Sequence, residues 1–359
     1  MNTAGTGGRL LVGLAVVAML GGCAASPTPS PKAWGPAVLV TGTERCTGGL
    51  GPLEYEPDGV AWHSREGSAA CTDEANDPRV IGKDTDSSYK ADGWGSPVAG
   101  DTAVVEWGTG RTENAGGAWE GTFAGVYTGE TGDMLVSWST GTGGYAGLSY
   151  FGAIKVPVGR VESGAVFHGL IFPGSPPAPP PAQMPAPARA SPASTPSPTM
   201  SPAPSPGGSG QPKAWGPAVL VTGTESCRVD AAPFTPDPDG ITSRSRGGTR
   251  SCTVQADDPR VSGTITGTYD ADGWGTELPT NGAIVNWGTL RLENAGGAWV
   301  GGYSGIYTSE TGDLASAWFE GTGGYAGLSY FQFVEAPVGT VSSGYTFKGL
   351  IFPGSPPTP

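Results

Sequence analysis

The stretch GTGGYAGLSYF occurs twice without a change, at Gly141–Phe151 and at Gly321–Phe331. Its GTGG opening reads as a tight connection between two strands, because glycine reaches positive φ and tolerates close backbone approach. Tyr145 and Tyr325 stand among these glycines, with room to fold over the end of a barrel or sheet as a plug. Leu148, Tyr150 and Ile154 then line one face of the strand that follows. A loop needing only flexibility is the alternative reading. An identical copy favours a packing role.

Outward from this stretch the two halves match along most of their length. PKAWGPAVLVTGTERC (Pro31–Cys46) returns as PKAWGPAVLVTGTESC (Pro212–Cys227), at an offset of 181 residues that holds as far as DPRV (Asp77–Val80, Asp258–Val261). From ADGWG (Ala91–Gly95, Ala271–Gly275) onward the offset is 180, so copy two lacks one residue between these points. ENAGGAW, ETGD and GLIFPGSPP follow in step. This is tandem duplication of a module large enough to close its own core, spanning 32–174 and 212–354, with a short tail at 355–359. Between the modules, 175–211 is dominated by Pro, Ala and Ser. Such a linker is expected to be extended, at about 3.1 Å per residue where stiff, and to hold the second domain away from the first.

Within a module no helical period of useful length appears. Short runs rich in Val, Thr, Trp, Tyr and Phe alternate with Gly, Asn and Asp, which predicts strands near Ala37–Arg45, Ala69–Glu74, Val80–Ala91, Ala103–Glu113, Ala118–Thr128, Met134–Thr140, Leu148–Val156 and Ala165–Phe172. NAGG (Asn114–Gly117) and GETGD (Gly129–Asp133) read as hairpin connections. The fold class is therefore all-β: two tandem eight-stranded antiparallel β-barrels joined by a disordered Pro-rich linker, with closure removing exposed sheet edges. Aromatic residues alternate with glycine along Trp119, Phe123 and Tyr127, and again along Trp299, Tyr303 and Tyr307, which suits a tapering interior. On the preceding strand the face shared by both copies is Val105, Trp107, Thr109, Arg111 and Glu113, repeated as Val285, Trp287, Thr289, Arg291 and Glu293. That shared face is assigned inward.

A β-rich module with a GTGGYAGL turn and strand late in the domain resembles the allene oxide cyclase and dirigent barrel superfamily. The resemblance covers that segment, the strand count and the domain size. It implies an eight-stranded antiparallel barrel with a central cavity, in which plant members cyclise or orient reactive small molecules. No catalytic position of that family maps onto a residue here. The duplication and the paired cysteines depart from its usual pattern.

The first 22 residues carry a lone Arg9, the apolar run Leu10–Leu20 and then Gly21-Gly22-Cys23. This is a secretory signal pattern, too short for a comfortable transmembrane helix. Its Leu-Gly-Gly-Cys ending resembles the bacterial lipobox, which implies cleavage before Cys23, diacylation of that residue and a lipidated tether at 23–31. An ordinary cleaved signal peptide is the alternative. The expected location is the outer face of the cytoplasmic membrane or the outer membrane. The other four cysteines repeat one spacing of 25 residues, which predicts the disulfides Cys46–Cys71 and Cys227–Cys252. A net charge of −13, with no Lys/Arg cluster, argues against a nucleic-acid partner.

Catalytic chemistry has few candidates. His63 and His168 are replaced by Arg244 and Lys348 in the other copy, and Asp84 and Asp86 read as solvated loop carboxylates. Neither a shared His-based triad nor a zinc site is therefore expected, and no cofactor motif or oligomeric state is indicated. Glu113 and Glu293 are the acid–base candidates, set beside Trp107, Arg111 and Trp119 in one copy and Trp287, Arg291 and Trp299 in the other; an Arg–Glu ion pair is the plainer reading. With Phe123, Tyr127, Tyr303 and Tyr307, these Trp and Arg residues are the ligand-binding candidates. Trp94 and Trp274, in the loop-like ADGWG, offer faces for stacking on a glycan; core tryptophan is the plainer reading. The expected function is a cell-envelope lipoprotein displaying two barrels that bind a small apolar molecule or a surface partner. A cyclase- or isomerase-like enzyme and a glycan-binding module are the alternatives. Cys23→Ala is expected to move the protein from the membrane fraction to the soluble one, measured by fractionation and immunoblotting. Continued retention of that variant would remove the anchor reading.

Overall fold

A computed structural model describes residues 31–84, 87–97, 100–158, 164–175, 212–238, 240–278, 280–338 and 344–356. The signal region, Cys23, Asp86 and linker residues 176–211 lie outside the described residues.

The predicted alternation produces strands throughout. In the first module these are β1 (Ala33–Trp34), β2 (Ala37–Gly49), β3 (Glu54–Tyr55), β4 (Ala61–Ala75), β5 (Gly82–Asp84), β6 (Ser88–Ser96), β7 (Asp101–Asn114), β8 (Gly117–Thr128), β9 (Gly132–Gly143), β10 (Leu148–Val156) and β11 (Ala165–Pro173). The second module has β12 (Ala214–Trp215), β13 (Ala218–Asp230), β14 (Thr235–Pro236), β15 (Ser243–Ala256), β16 (Gly263–Glu277), β17 (Asn281–Asn294), β18 (Gly297–Thr308), β19 (Gly312–Gly323), β20 (Leu328–Ala336) and β21 (Tyr345–Pro353). Every pairing is antiparallel. β2 pairs with both β11 and β4, and β13 with both β21 and β15, so each module closes into an eight-position ring.

The residue missing from copy two has a structural meaning. Asp84 lies opposite Thr112, and Ile265 lies opposite Leu292, so these two are equivalent despite the change of offset. In the first barrel the strand is broken after Asp84 into β5 and β6; in the second, β16 runs unbroken. The extra residue of copy one sits in that break.

The repeated stretch does cap a barrel end. Gly143 (φ 63°) and Gly147 (φ 83°) bracket the turn in the left-handed region, which side chains disfavour. The turn folds Tyr145 inward, stacked on Trp119 at 5.2 Å between centroids. The Tyr145 hydroxyl donates to Asn114 Oδ1 at 2.5 Å, and the Gly116 N–H donates to the same oxygen at 2.9 Å. Asn114 Nδ2 in turn donates to the carbonyls of Pro78, Arg79 and Ile81 at 3.3, 3.1 and 2.8 Å, while Trp119 Nε1 reaches the Arg79 carbonyl at 2.8 Å. Asn294, Tyr325 and Trp299 repeat this knot in the second barrel. Thus ENAGGAW, DPRV and GTGGYAG, far apart in sequence, meet at one place.

The largest apolar cluster lies outside both barrels. Leu39, Trp94, Val105, Phe151 and Phe172 point outward from the first barrel and are buried against their counterparts Leu220, Trp274, Val285, Phe331 and Phe352. Strands buried on both faces are rich in apolar residues at successive positions, as AVLV and GLIFP are. Two expectations are corrected here. The linker does not hold the domains apart, because the barrels pack directly on one another. Trp94 and Trp274 are 4% and 1% exposed, so they offer no sugar-stacking face.

Asn114→Ala is expected to cost about 2–4 kcal/mol in urea unfolding, because it strips partners from several half-buried groups at once. Tyr145→Phe, which removes one hydroxyl, should cost about 1 kcal/mol.

Candidate functional site

Alternation along five strands sends Glu44 (β2), Asp73 (β4), Asp84 (β5), Glu106 (β7) and Asp133 (β9) into the first barrel. There they line a cavity of about 290 Å³, with Tyr89, Trp119, Phe123, Tyr150 and Phe167 among its aromatic walls. No Lys, Arg or His is among the described residues lining it. At the end opposite Tyr145 the barrel is closed by Trp62, fully buried on Gly93, where a Cβ would come within 2.0 Å of the indole. Trp62 is the one tryptophan without a counterpart; Ser243 takes its place.

The carboxylates are crowded and under-compensated. Glu106 is 3% exposed; its Oε2 accepts a short hydrogen bond from the Tyr89 hydroxyl, and its carboxyl is hydrogen-bonded to the neighbouring Asp133. No group from elsewhere reaches the buried Asp133 Oδ1. Burial, then the Asp84 charge, pushes Glu44 up to about 7. Burial, then Glu44 and Asp84, pushes Asp73 up to about 8. Burial and the adjacent Glu106 hold Asp133 well above the usual carboxylate range. A cavity in this state favours a bound positive charge, which would replace protons as the neutralising species.

The second barrel is the same scaffold filled. Gly110, Ser139, Gly152 and Ala165 of the first barrel correspond to Leu290, Phe319, Gln332 and Tyr345. Ala69, opposite Gly48, corresponds to Arg250, opposite Val229. Glu225, the counterpart of Glu44, is 2% exposed on its side chain; it pairs with Arg250 at 3.1 Å and accepts a short hydrogen bond from Gln332. The Arg250 guanidinium lies 5.3 Å from the ring centroids of both Tyr303 and Tyr345. Asp73, Asp84 and Thr112 become Val254, Ile265 and Leu292, which close the remaining space. The barrels therefore do not offer two equal sites.

The two disulfides are present as predicted, Cys46–Cys71 joining β2 to β4 and Cys227–Cys252 joining β13 to β15. Each stands beside a carboxylate, Glu44 or Glu225. With both sulfurs bonded to one another, these groups are not thiolate metal sites. A wider, open groove of about 530 Å³ runs between the barrels past Lys155, Glu335 and Lys348. Its central charges, Lys155 and Glu335, already pair with one another.

The sequence candidates divide sharply. Trp119 and Phe123 line the cavity. Tyr127 lies on the same inward face but packs at the closed end beside Trp62 and Val104. Trp299 and Tyr303 are buried in the filled interior, and Tyr307 is half-buried. The face carrying Val105, Trp107, Arg111 and Glu113 points outward, contrary to the inward assignment, and so does its copy with Trp287, Arg291 and Glu293. Trp107 and Trp287 pack on the inter-barrel cluster, capped by Arg65 and Arg246. Arg111 pairs with Glu113 at 3.5 Å and Arg291 with Glu293 at 3.2 Å, both at the surface. Glu113 and Glu293 line neither the barrel cavity nor the inter-barrel groove; each is more than half exposed in its ion pair. Asp84, expected as a loop carboxylate, lies on β5 and lines the cavity.

Sequence reasoning passed over the acidic cavity because it looked for residues common to the copies. The useful signal was the opposite one: interior positions small or acidic in one copy and bulky in the other. Compared with protein families, curated proteins and solved structures, the chain matches no family model, no curated sequence and no solved structure.

The raised carboxyls predict an unusual pH dependence. Unfolded Asp and Glu ionise near pH 4, whereas folded Glu44 and Asp73 keep their protons to about 7 and about 8. The folded state binds more protons in this window, so stability is greatest near the lower limit and falls as pH rises toward 8. Urea unfolding at pH 5, 6, 7 and 8 should show this decline, and Asp73→Asn should make it shallower.

Proposed function

We propose that this is an exported protein, tethered through lipid on Cys23, whose first barrel binds a small organic cation with an apolar or aromatic body. The second barrel serves as a filled structural partner. The observation that carries this reading is the contrast at one equivalent position. Glu225 meets Arg250 in the filled barrel, whereas Glu44 faces an open space where Ala69 stands. The buried Glu106–Asp133 pair supports it, because two carboxyls sharing one hydrogen bond have no cation among the described lining residues to offset a second charge. Trp119 and Phe123 supply ring faces suited to a cation and its apolar body. Export and anchoring rest on the signal pattern and on disulfides of the kind that persist in oxidising compartments. The GTGGYAGL resemblance supports a barrel with a usable cavity; the ligand class comes from the carboxylates.

Titration calorimetry with benzylamine, a quaternary ammonium analogue and benzoate tests the reading. The two cations are expected to bind, more tightly at pH 8 than at pH 6 as Glu44 and Asp73 ionise, and benzoate is not. Ala69→Arg should place a guanidinium beside Glu44, as Arg250 stands beside Glu225. It is expected to weaken cation binding at least tenfold while leaving the circular dichroism spectrum unchanged. Equal binding of amine and acid, or no effect of Ala69→Arg on bound amine, would overturn the assignment.

A further inference from the structure

The contacts between the barrels come in related pairs. Trp34 Nε1 donates to Asn281 Oδ1 at 3.3 Å, and its counterpart Trp215 donates to Asp101 Oδ1, the counterpart of Asn281, at 2.8 Å. Trp94 lies against Phe352 at 5.8 Å, and Phe172 against Trp274 at 5.5 Å. Lys32 meets Glu310 at 3.4 Å, and Lys213 meets Glu130 at 3.5 Å. Each contact thus appears a second time with the two barrels exchanged. This reciprocity defines an isologous, two-fold interface, the arrangement of a symmetric dimer built into one chain.

On such an axis a residue meets its own equivalent. Lys155 and Glu335 occupy the same module position, at the 180-residue offset, and they pair with each other. Two copies of the first barrel would set lysine against lysine there, and two copies of the second would set glutamate against glutamate. The reciprocal tryptophan acceptors have also diverged, although with Lys32 and Lys213 alike this difference does not by itself reject a pair of first barrels. Asp101 also receives Lys213 at 3.2 Å, whereas its equivalent Asn281 is neutral.

We propose that the first barrel's outer face is an interaction surface specific for the second barrel. Its Lys155–Glu335 contact selects the unlike pair and rejects the like one, so that the barrels stay together without the linker and the full chain closes on itself as a monomer. The apolar face buried between them is wide, and the pairing uses the same patch on both barrels. A closed chain therefore has no free copy of that patch with which to recruit another. Like charges on the axis would act as the repulsive element that specificity requires.

The test uses the full chain with a protease site inserted among residues 176–211. After cleavage the halves should co-elute in gel filtration, and native mass spectrometry should show only unlike pairs. Lys155→Glu, and separately Glu335→Lys, should weaken association of the cleaved halves at least tenfold. The exchange Lys155→Glu with Glu335→Lys should restore it to within about threefold. Separation of the unsubstituted halves, detection of like pairs, singles that bind as tightly as wild type, or a double variant as weak as the singles would each overturn the proposal. Because the substituted side chains are half-exposed, circular dichroism of each intact variant should show folded barrels. Cation binding in the first barrel is a separate readout that these variants are expected to leave unchanged.

Discussion

One end of each barrel depends on a single asparagine. Asn114 uses both halves of its amide: two donors close onto the backbone of the segment after β4, and the oxygen collects the β7–β8 turn and the Tyr145 hydroxyl. A ring of eight strands has no natural closure at its ends, because the connections there leave backbone groups with no ladder partner. One side chain satisfying several of them at once ties together three loops that are remote in sequence. That accounts for ENAGGAW, DPRV and GTGGYAG being among the stretches unchanged between the copies, and for the glycines that flank the tyrosine. The fold at this end is specified by polar satisfaction as much as by apolar burial.

With the ends tied, the same frame accepts two different interiors. In the second barrel, bulky side chains fill the space, and the shared glutamate is neutralised by a buried guanidinium stacked between two tyrosines. In the first, small residues at the equivalent positions leave a cavity whose carboxyl groups meet one another, the Tyr89 hydroxyl and, at Asp84, a backbone N–H, with no Lys, Arg or His among the described lining residues. Carboxylates gathered in a desolvated space repel, so part of their charge is suppressed by protonation. Such an arrangement is poor for stability at neutral pH. It persists where something else is being served, and a ligand that brings opposite charge is the simplest such thing.

Much of this was legible in the letters. The duplication, most of the strand set, the disulfide pairs and the hairpin turns follow from spacing and alternation, and β10 runs from Leu148 to Val156 as predicted. By contrast, β4 starts at Ala61 and not at Ala69, and the predicted Val80–Ala91 strand is split into β5 and β6. The capping role of Tyr145 could be read from a ring placed among glycines. Two things could not be read that way. On β7, both faces carry apolar or charged residues, because one lines a barrel and the other an inter-barrel core. Alternation alone therefore leaves inside and outside undetermined, and Glu106 was exchanged for Glu113. Direct packing of the barrels was hidden behind a Pro-rich linker whose composition says nothing about whether its ends are near or far.

The choice of face has a physical resolution that could have been reached from the repeat. An outward position in an isologous pair contacts the other barrel, so it is constrained by a surface that is nearly a copy of itself. Val105, Trp107, Phe151 and Phe172 are accordingly the same residues in both copies, as Val285, Trp287, Phe331 and Phe352. Inward positions face only their own barrel, and they are free to diverge once one copy no longer needs a cavity. Identity between copies therefore marks the end knots and much of the apolar interface, while charged positions on that interface differ. Divergence at interior positions such as Ala69, Asp73, Gly110 and Ala165 marks the difference between an open and a filled barrel, and the open, acidic side is where binding chemistry is to be sought.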